Sequence, residues 1–234
     1  SVVRIHSLRP RAPSKAGIPA DNQMLKVQCV DRLGFAFIYE YRLAVGYAAN
    51  MTTSMHTTYH RLLFLDRDGV INVDHGYVSK REEFEFVPGI FGLVCAAREK
   101  GYGVVVVTNQ SGIGRGYYTE DEFWGLTNWM TDQFHANEAP IDQVFFCPYH
   151  PDATIEKFRQ THPWRKPGPG MLLAAKEQFR TNMAASVFIG DKETDVAAGR
   201  AAGVGTVLLL GTDEESGIKP TATIASLLEA ISWL

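Results

Sequence analysis

Five short apolar runs rich in β-branched or aromatic residues recur along the chain, at positions 62–65, 104–107, 144–146, 187–189 and 206–210. Apolar and polar residues do not alternate in them, which is the pattern of strands covered on both faces. Such strands are typical of a parallel sheet with helices on either side. The runs therefore predict a central, mostly parallel sheet.

Stretches with the hydrophobic spacing of helices separate these runs, at positions 89–100, 119–135, 170–179 and 194–202. Thr119 and Glu122 form a capping-box pair at the start of the second stretch, and Gly101 and Gly203 stand where helices end in a left-handed residue. Because strands and helices alternate, we predict an α/β fold, a Rossmann-like three-layer sandwich around the sheet.

The first part of the chain lacks this regularity. Pro10, Pro13 and Pro19 lie close together, and no sustained period precedes residue 28. We therefore expect residues 1–58 to be an N-terminal extension, either a disordered or added leader or a functional basic arm, and residues 59–234 to form the folded domain. A strand or a helix fits positions 27–47 equally well.

Charge and cysteine content narrow the class of protein. The chain has 23 Lys and Arg residues against 26 Asp and Glu residues, a net charge of −3, so it carries no global basic field. We expect neither a nucleic acid nor a membrane partner. Glu40 and Arg42 interrupt the longest apolar stretch, which argues against a transmembrane helix. The three cysteines are widely spaced and odd in number, which favours a reducing, cytoplasmic location.

Polar residues follow the predicted strands at the edge of the sheet where ligands bind in α/β folds. Asp66 and Asp68 come after the first run, Thr108 follows the second, and Asp191 follows the run at 187–189. Lys166 lies on the segment that leads into the third helix. Three carboxylates at one edge repel each other unless a hard cation such as Mg²⁺ neutralises them.

A phosphate ester is the substrate class that such an edge would attract. Phosphoryl transfer depends mainly on positioning and on neutralisation of charge around the phosphoryl oxygens. Asp66 is placed to attack phosphorus as a nucleophile, and Asp68, two residues later, to serve as general acid and base. Thr108 and Lys166 would hold the phosphoryl oxygens.

These groups resemble, in the same order, the four motifs of the haloacid dehalogenase superfamily of Mg²⁺-dependent phosphatases. Segments 66–78 and 108–116 resemble more narrowly the heptose bisphosphate phosphatases of that superfamily, whose relatives include the histidinol phosphatases. The resemblance covers residues 61–215. It implies a fold without a large cap domain, and removal of the 7-phosphate of D-glycero-D-manno-heptose 1,7-bisphosphate.

The resemblance also implies roles for individual residues. Mg²⁺ would be held by the Asp66 side chain, the Asp68 backbone carbonyl and Asp191. The remaining positions would line the sugar-phosphate site: Asp74, His75, Gly76, Tyr77, Asn109, Gln110, Ser111, Arg165 and Lys192.

One departure from the family concerns a structural zinc site that often precedes Arg165. Of the four family ligand positions only Cys147 is retained, because Tyr149 stands where a histidine is expected, and His162 and Trp164 stand where cysteines are expected. Cys147, His150 and His162 supply at most three ligands, and zinc prefers four. We therefore predict a loop without zinc, in which Tyr149 and Trp164 pack together instead.

Several positions leave alternatives open. We expect Asp195 to orient Lys166 or cap its helix rather than bind metal, and Arg115 is either a surface or a site residue. Trp124 and Trp129 fit the core better than a binding platform. A histidinol-phosphate or other small sugar-phosphate phosphatase is the alternative within enzymes, and a catalytically silent phosphosugar-binding protein is the alternative outside them. We expect a monomer.

Overall fold

The computed structural model describes residues 58–211 and 217–234, together with the backbone of two earlier strands. The chain divides into two compact units, Ser1–Ser54 and Met55–Leu234. In the first unit, β1 (Met24–Val30) pairs antiparallel with β2 (Ala36–Arg42). The remaining predictions for the extension at residues 1–58 lie outside the described residues, and its boundary stays a prediction.

The second unit is built on one parallel sheet of six strands, as the apolar runs predict. The strand order is β5-β4-β3-β6-β7-β8, and every pairing is parallel. The strands are β3 (Leu62–Leu65), β4 (Gly103–Asn109), β5 (Gln143–Cys147), β6 (Val187–Gly190), β7 (Thr206–Leu210) and β8 (Ala222–Ile224).

Helices connect these strands. They are α1 (Ile90–Glu99), α2 (Ser111–Gly114), α3 (Glu120–Ala136), α4 (Gly170–Phe179), α5 (Glu193–Ala201) and α6 (Leu227–Ala230). The four predicted helices are confirmed to within a residue at each end, whereas α2, α6 and β8 were not predicted. No helix among the described residues is long and apolar enough to cross a bilayer.

The core forms two layers because neighbouring residues of a strand point to opposite faces of the sheet. In β3, Leu63 and Leu65 pack in the layer that includes α1, α3 and α6, while Leu62 and Phe64 pack in the layer that includes α4 and α5. The sheet is therefore covered on both faces, which makes the molecule a three-layer α/β sandwich.

Local capping agrees with the sequence, but one core prediction is wrong. The Thr119 hydroxyl accepts a hydrogen bond from the Glu122 amide at 3.1 Å, and the Glu122 carboxylate accepts one from the Thr119 amide at 2.7 Å. Trp124, predicted to face the core, is 38% exposed because its neighbour Phe123 occupies the buried position on α3. Trp129 is partly buried and packs against the core.

The strand order places a crevice at one edge of the sheet. Strand β3 lies between β4 and β6. The chain first runs from β3 outward through β4 to β5, and then crosses back to β6 on the other side. Connections from the carboxyl ends of the neighbouring strands β3 and β6 therefore diverge, and this is the point at which open α/β sheets bind ligands.

Candidate active site

Asp66, directly after β3, is buried beside a lysine. Its Oδ1 accepts a hydrogen bond from the Arg67 amide at 2.6 Å, and its Oδ2 lies 2.8 Å from Lys166 Nζ. The same Nζ lies 2.6 Å from Asp195 Oδ1 and donates to the Val107 carbonyl at 3.0 Å. Lys166, itself only 3% exposed, thus links the end of β3 to β4 and to α5.

Burial controls the charge of these groups. It raises the pKa of Asp66 to about 7, although the neighbouring Lys166 works in the opposite direction. Burial also raises the pKa of Asp191 to about 6, partly offset by Lys192. For Lys166 burial favours the neutral amine, but Asp195 and Asp66 outweigh it and the pKa of the ammonium is raised. Burial is thus the main reason why the carboxyl groups of Asp66 and Asp191 keep their protons to a higher pH than usual.

Three carboxylates converge at this point. Asp66, Asp191 and Asp195 each offer an oxygen, and these oxygens lie within 4.8 Å of one another. Asp191 Oδ1 is buried and has no hydrogen-bond partner among the described residues. Gly69 has φ +92°, and a Cβ there would lie 2.1 Å from Asp191 Oδ2. The turn thus requires glycine, and the unpartnered oxygen fits a hard cation.

Asp195 is engaged in two other contacts. Besides its contact with Lys166, its Oδ2 accepts a hydrogen bond from the Lys192 amide at 3.1 Å at the start of α5. These are the two contacts that the sequence led us to expect. The carboxylate that is left free for a cation is consequently that of Asp191 rather than that of Asp195.

Asp68 is held by three side chains. Arg67 Nη2 donates to both carboxylate oxygens, at 2.7 and 2.8 Å. Asn72 Nδ2 donates to Oδ1 and Gln110 Nε2 to Oδ2, each at 3.1 Å. Arg67 is only 2% exposed. Sequence reasoning missed Arg67 and Asn72, although a basic residue between two carboxylates in the Asp66–Asp68 segment was a usable signal.

Asn109 holds the backbone of Lys166. Its Nδ2 donates to the Lys166 carbonyl at 3.1 Å, and its Oδ1 accepts from the Lys166 amide at 3.0 Å. The end of β4 therefore fixes the peptide that delivers the catalytic lysine candidate. Asn109 was predicted to bind substrate, and the structure adds this contact with the protein itself.

A cavity of about 390 Å³ opens above these groups. Most of the predicted site residues line it: Asp66, Asp68, Asp74, Gly76, Tyr77, Thr108, Asn109, Ser111, Arg165, Lys166 and Lys192. Tyr118 and Thr194 line it as well and were not predicted. The structure thus brings together residues from six separate segments of the chain.

Three predicted residues are not among those that line the cavity. His75 is half-exposed, and its Nε2 lies 3.6 Å from Glu85. Gln110 is buried and contacts Asp68 rather than the open space. Asp191 belongs to the acidic group described above. The substrate roles of His75 and Gln110 stay predictions.

The rim of the cavity carries an ion pair and an aromatic pair. Lys192 Nζ lies 2.8 Å from Asp74 Oδ2. Burial alone would raise the pKa of Asp74, but hydrogen bonds from Lys192 and the Gly76 amide lower it, so the pair stays charged. Tyr77, in the left-handed conformation at φ 55°, packs edge to face on Tyr117 with ring centroids 4.7 Å apart.

Aromatic packing organises the loop before Arg165. The Tyr149 ring stacks on the His162 ring with centroids 4.3 Å apart. Trp164 packs edge-on against the same His162 ring, with centroids 6.3 Å apart. Tyr149 and Trp164 were expected to pack together, and each of them packs against His162. The absence of zinc from this loop stays a prediction.

The fold and the position of these residues define a phosphatase of the haloacid dehalogenase class. A family model described as "HAD-hyrolase-like" matches residues 163–230. A putative HAD-like phosphatase from Mesorhizobium loti superposes with a TM-score of 0.68 and is 33% identical, covering 75% of this chain and 86% of that chain. A D,D-heptose 1,7-bisphosphate phosphatase from B. bronchiseptica, complexed with magnesium and phosphate, gives a TM-score of 0.66 at 26% identity and covers 74% of this chain and 97% of that chain.

Sequence similarity narrows the class. The D-glycero-alpha-D-manno-heptose-1,7-bisphosphate 7-phosphatase of Burkholderia mallei is 51% identical over 164 residues, which are 70% of this chain and 87% of that protein. The D-glycero-beta-D-manno-heptose-1,7-bisphosphate 7-phosphatase of Escherichia coli K12 is 47% identical over 150 residues, 64% of this chain and 78% of that protein. This chain belongs to the heptose-1,7-bisphosphate 7-phosphatase family.

Proposed function

We propose that this protein removes the 7-phosphate from D-glycero-D-manno-heptose 1,7-bisphosphate through an aspartyl-phosphate on Asp66, with Mg²⁺ as cofactor. The observation that carries the proposal is the buried Asp66 carboxylate, 2.8 Å from Lys166 at the base of a polar cavity, with Asp68 beside it. The names of the relatives at 51% and 47% identity support the choice of sugar.

The cation would be held by the Asp66 side chain, the Asp68 backbone carbonyl and Asp191. The unpartnered Asp191 Oδ1 supports this assignment, as does the magnesium bound to the B. bronchiseptica relative. When bound, Mg²⁺ supplies the positive charge that allows an anionic carboxylate to approach an anionic phosphate ester.

The chemistry then follows from the positions of the two carboxylates. An Asp66 oxygen attacks phosphorus, the bond between phosphorus and the sugar oxygen breaks, and Asp68 gives its proton to that oxygen. Asp68, now a carboxylate, accepts a proton from water, which attacks the phosphorus of the aspartyl-phosphate. Inorganic phosphate leaves and Asp66 is regenerated. Lys166 and Thr108 stabilise the negative charge on the phosphoryl oxygens in both steps.

The charges at the cavity favour a substrate with a second anionic group. Arg165 and Lys192 line the cavity in addition to Lys166. Burial, and to a smaller extent the charge of the nearby Arg115, lower the pKa of Arg165. The positive charge of this guanidinium is therefore not fully balanced by its surroundings. A bisphosphate can satisfy both Lys166 and these outer cations.

A phosphate-release screen tests the proposal. The substrates are both anomers of heptose 1,7-bisphosphate, sugar monophosphates, histidinol phosphate and p-nitrophenyl phosphate, each with and without Mg²⁺. We expect the highest kcat/KM with a heptose bisphosphate, and activity that depends on Mg²⁺. A higher kcat/KM with histidinol phosphate would assign the alternative substrate, and no turnover of any ester would identify a silent binding protein.

Mg²⁺ binding is expected to release protons in a pH-dependent manner. In the metal-free protein the pKa of Asp66 is about 7 and that of Asp191 about 6, so both are partly protonated at pH 6.5. Binding requires the carboxylate forms and should release roughly one proton at pH 6.5 and almost none at pH 8.5. Calorimetry in buffers of different ionisation enthalpy measures this number, and equal release at both pH values would contradict it.

We also propose that the loop before Arg165 folds without zinc. Burial raises the pKa of the Cys147 thiol, which disfavours the thiolate that zinc needs. Both ring nitrogens of His150 have neighbours, Arg115 Nη2 at 3.3 Å and the Asp152 amide at 3.0 Å. Elemental analysis of the purified protein is expected to find well under one zinc per chain; a stoichiometric amount would refute the assignment.

We infer a cytoplasmic location from the cysteines. Cys95 and Cys147 are free thiols, and Cys147 is buried. Free thiols of this kind are typical of reducing compartments.

A further inference from the structure

We propose that Tyr118 is a positioning residue of this enzyme, which orients the acid and base Asp68 and the phosphate-binding Thr108 through the side-chain amide of Gln110. The inference rests on the proposed function, because it assigns a partner to residues whose catalytic roles were proposed above. Tyr118 was not among the residues that the motifs pointed to.

The hydrogen bonds of this group run in one direction. The Tyr118 hydroxyl donates to Gln110 Oε1 at 2.6 Å. Gln110 Nε2 donates to Asp68 Oδ2 at 3.1 Å and to Thr108 Oγ1 at 2.8 Å. If the amide were rotated by half a turn, its oxygen would face the Asp68 carboxylate, and two acceptors would repel each other. The Asp68 carboxylate therefore selects the rotamer in which the amide nitrogen faces the site, and the Tyr118 hydroxyl holds the amide oxygen in place in that rotamer.

The Tyr118 ring is held firmly enough for this role. It is only 7% exposed, and it packs against the backbone of α2. A Cβ at Gly112 would lie 2.3 Å from the ring, so glycine at this position makes room for it. Burial raises the pKa of Tyr118 to about 12, so the hydroxyl remains a donor at neutral pH.

The two hydrogen bonds that the Gln110 amide nitrogen donates, to Thr108 and to Asp68, each bear on the chemistry. Thr108 Oγ1 accepts from Gln110, which leaves its own proton to point elsewhere, and Thr108 lines the cavity in which the phosphoryl group is proposed to bind. Asp68 Oδ1 accepts hydrogen bonds from Arg67 and Asn72. Its Oδ2 accepts hydrogen bonds from Arg67 and Gln110, so Gln110 helps to fix this second oxygen.

If Tyr118 positions Asp68, its loss should have a specific effect on the kinetics. An alkoxide is a poor leaving group and needs a proton from the general acid, whereas p-nitrophenolate leaves without one. Because kcat/KM reports the steps up to formation of the aspartyl-phosphate, the ratio of kcat/KM for the sugar phosphate to that for p-nitrophenyl phosphate measures the help given by the acid. A loss of folded protein lowers both values equally and leaves the ratio unchanged.

The first test is Tyr118→Phe, which removes one oxygen atom. We expect the ratio for heptose 1,7-bisphosphate over p-nitrophenyl phosphate to fall about 10-fold, the size expected for one hydrogen bond to a positioned group. Tyr102→Phe is the matched control, because Tyr102 is a buried tyrosine just before β4, at the opposite edge of the sheet, and its substitution should leave the ratio unchanged. An equal loss on both substrates in Tyr118→Phe would assign a structural role and overturn the proposal.

A second variant tests the route through Gln110. Gln110→Met keeps the length of the side chain and removes its hydrogen bonds, so it should lower the ratio at least as much as Tyr118→Phe. The double variant should be no worse than Gln110→Met alone, because both changes act on one chain of contacts. Additive losses would show that Tyr118 acts independently of Gln110.

A crystal structure of Tyr118→Phe separates this inference from the proposed function. We expect the Gln110 amide to turn away from Asp68 in that variant, whatever the substrate of the wild-type enzyme. An amide nitrogen that stays within hydrogen-bond distance of Asp68 Oδ2 would refute the positioning role. Failure of the wild-type protein to cleave any phosphate ester would instead refute the proposed function and leave this structural outcome to decide on Tyr118.

Discussion

Replacement of Asp66 by Asn is expected to abolish turnover while the protein still folds and binds its substrate. The amide cannot form an acyl phosphate, so kcat should fall by at least about 10³-fold, as when other covalent nucleophiles are removed. The fold should survive because Asn carries no charge into a buried position, and Lys166 keeps its contacts with Asp195 and the Val107 carbonyl.

Two measurements check this prediction. Phosphate release from heptose 1,7-bisphosphate gives the turnover, and acid quenching with labelled substrate gives the amount of phosphorylated protein, which should be detectable in the wild type and lost in Asp66→Asn. Asp132→Asn, an exposed position on α3, is the control and should retain full activity. If Asp66→Asn keeps most of its activity, another residue is the nucleophile.

Substitution of Lys166 by Met is expected to have the largest effect on stability. Lys166 is 3% exposed and lies between Asp66 and Asp195, so its removal leaves two buried carboxylates without a cation. Breaking a buried ion pair from one side costs about 3–5 kcal/mol. The variant should also lose at least about 10²-fold in kcat, because the phosphoryl group loses a stabilising charge.

The loss of stability in Lys166→Met should grow as the pH rises. The pKa of Asp66 is about 7 in the folded metal-free protein, against an ordinary value of 3.8. A carboxyl group whose pKa is higher in the folded than in the unfolded protein stabilises the fold at pH values below its ordinary pKa. This stabilisation is lost as the pH rises through the pKa of the group in the folded protein. Without Lys166 the pKa of Asp66 rises further, so the part of the cost that Asp66 contributes is smaller near pH 5.5, where Asp66 is protonated with or without Lys166, and larger near pH 8.

Urea unfolding of metal-free protein at pH 5.5 and pH 8 measures this dependence. Lys176→Met, an exposed lysine on α4, is the matched control and should change the free energy of unfolding by less than about 0.5 kcal/mol at either pH. A pH-independent cost in Lys166→Met would mean that lost packing, and not unpaired charge, accounts for the destabilisation.

Long apolar patterns allowed most of the fold to be predicted from the sequence. The runs at β3 and β7 were predicted with the bounds that the structure has, because burial on two faces leaves an uninterrupted apolar signal. The helical stretch at α4 was also predicted with its observed bounds. Strand β8 has three residues and helix α2 has four, which is too short for a period to be recognised. Trp124 was misplaced because its burial depends on which of two adjacent aromatic residues turns inward.

The site was predictable where a residue directly follows a strand. Asp66 and Thr108 lie at strand ends, and the parallel sheet brings such positions together. Of the hydrogen bonds around Asp68, only the one from its neighbour Arg67 left a signal in the sequence. Gln110 reaches Asp68, and Tyr118 reaches Gln110, only through the folding of the chain around α2. His75 does not line the cavity for a local reason: the Asp74 carboxylate accepts a hydrogen bond from the Gly76 amide at 2.9 Å, and the His75 ring beside this turn contacts Glu85. Its role in substrate binding stays a prediction.

The two ends of the loop between β5 and Lys166 are attached to the last residue of β4 and the residue after it. The backbone amide of Gln110 donates to the Cys147 carbonyl at 2.8 Å, and the Asn109 side chain binds both the amide and the carbonyl of Lys166. Everything between these two anchor points can therefore diverge in length and composition without moving the reactive lysine. Changes in this loop, which carries the cavity residue Arg165, can therefore alter substrate preference while the positions of Asp66, Asp68 and Lys166 stay the same.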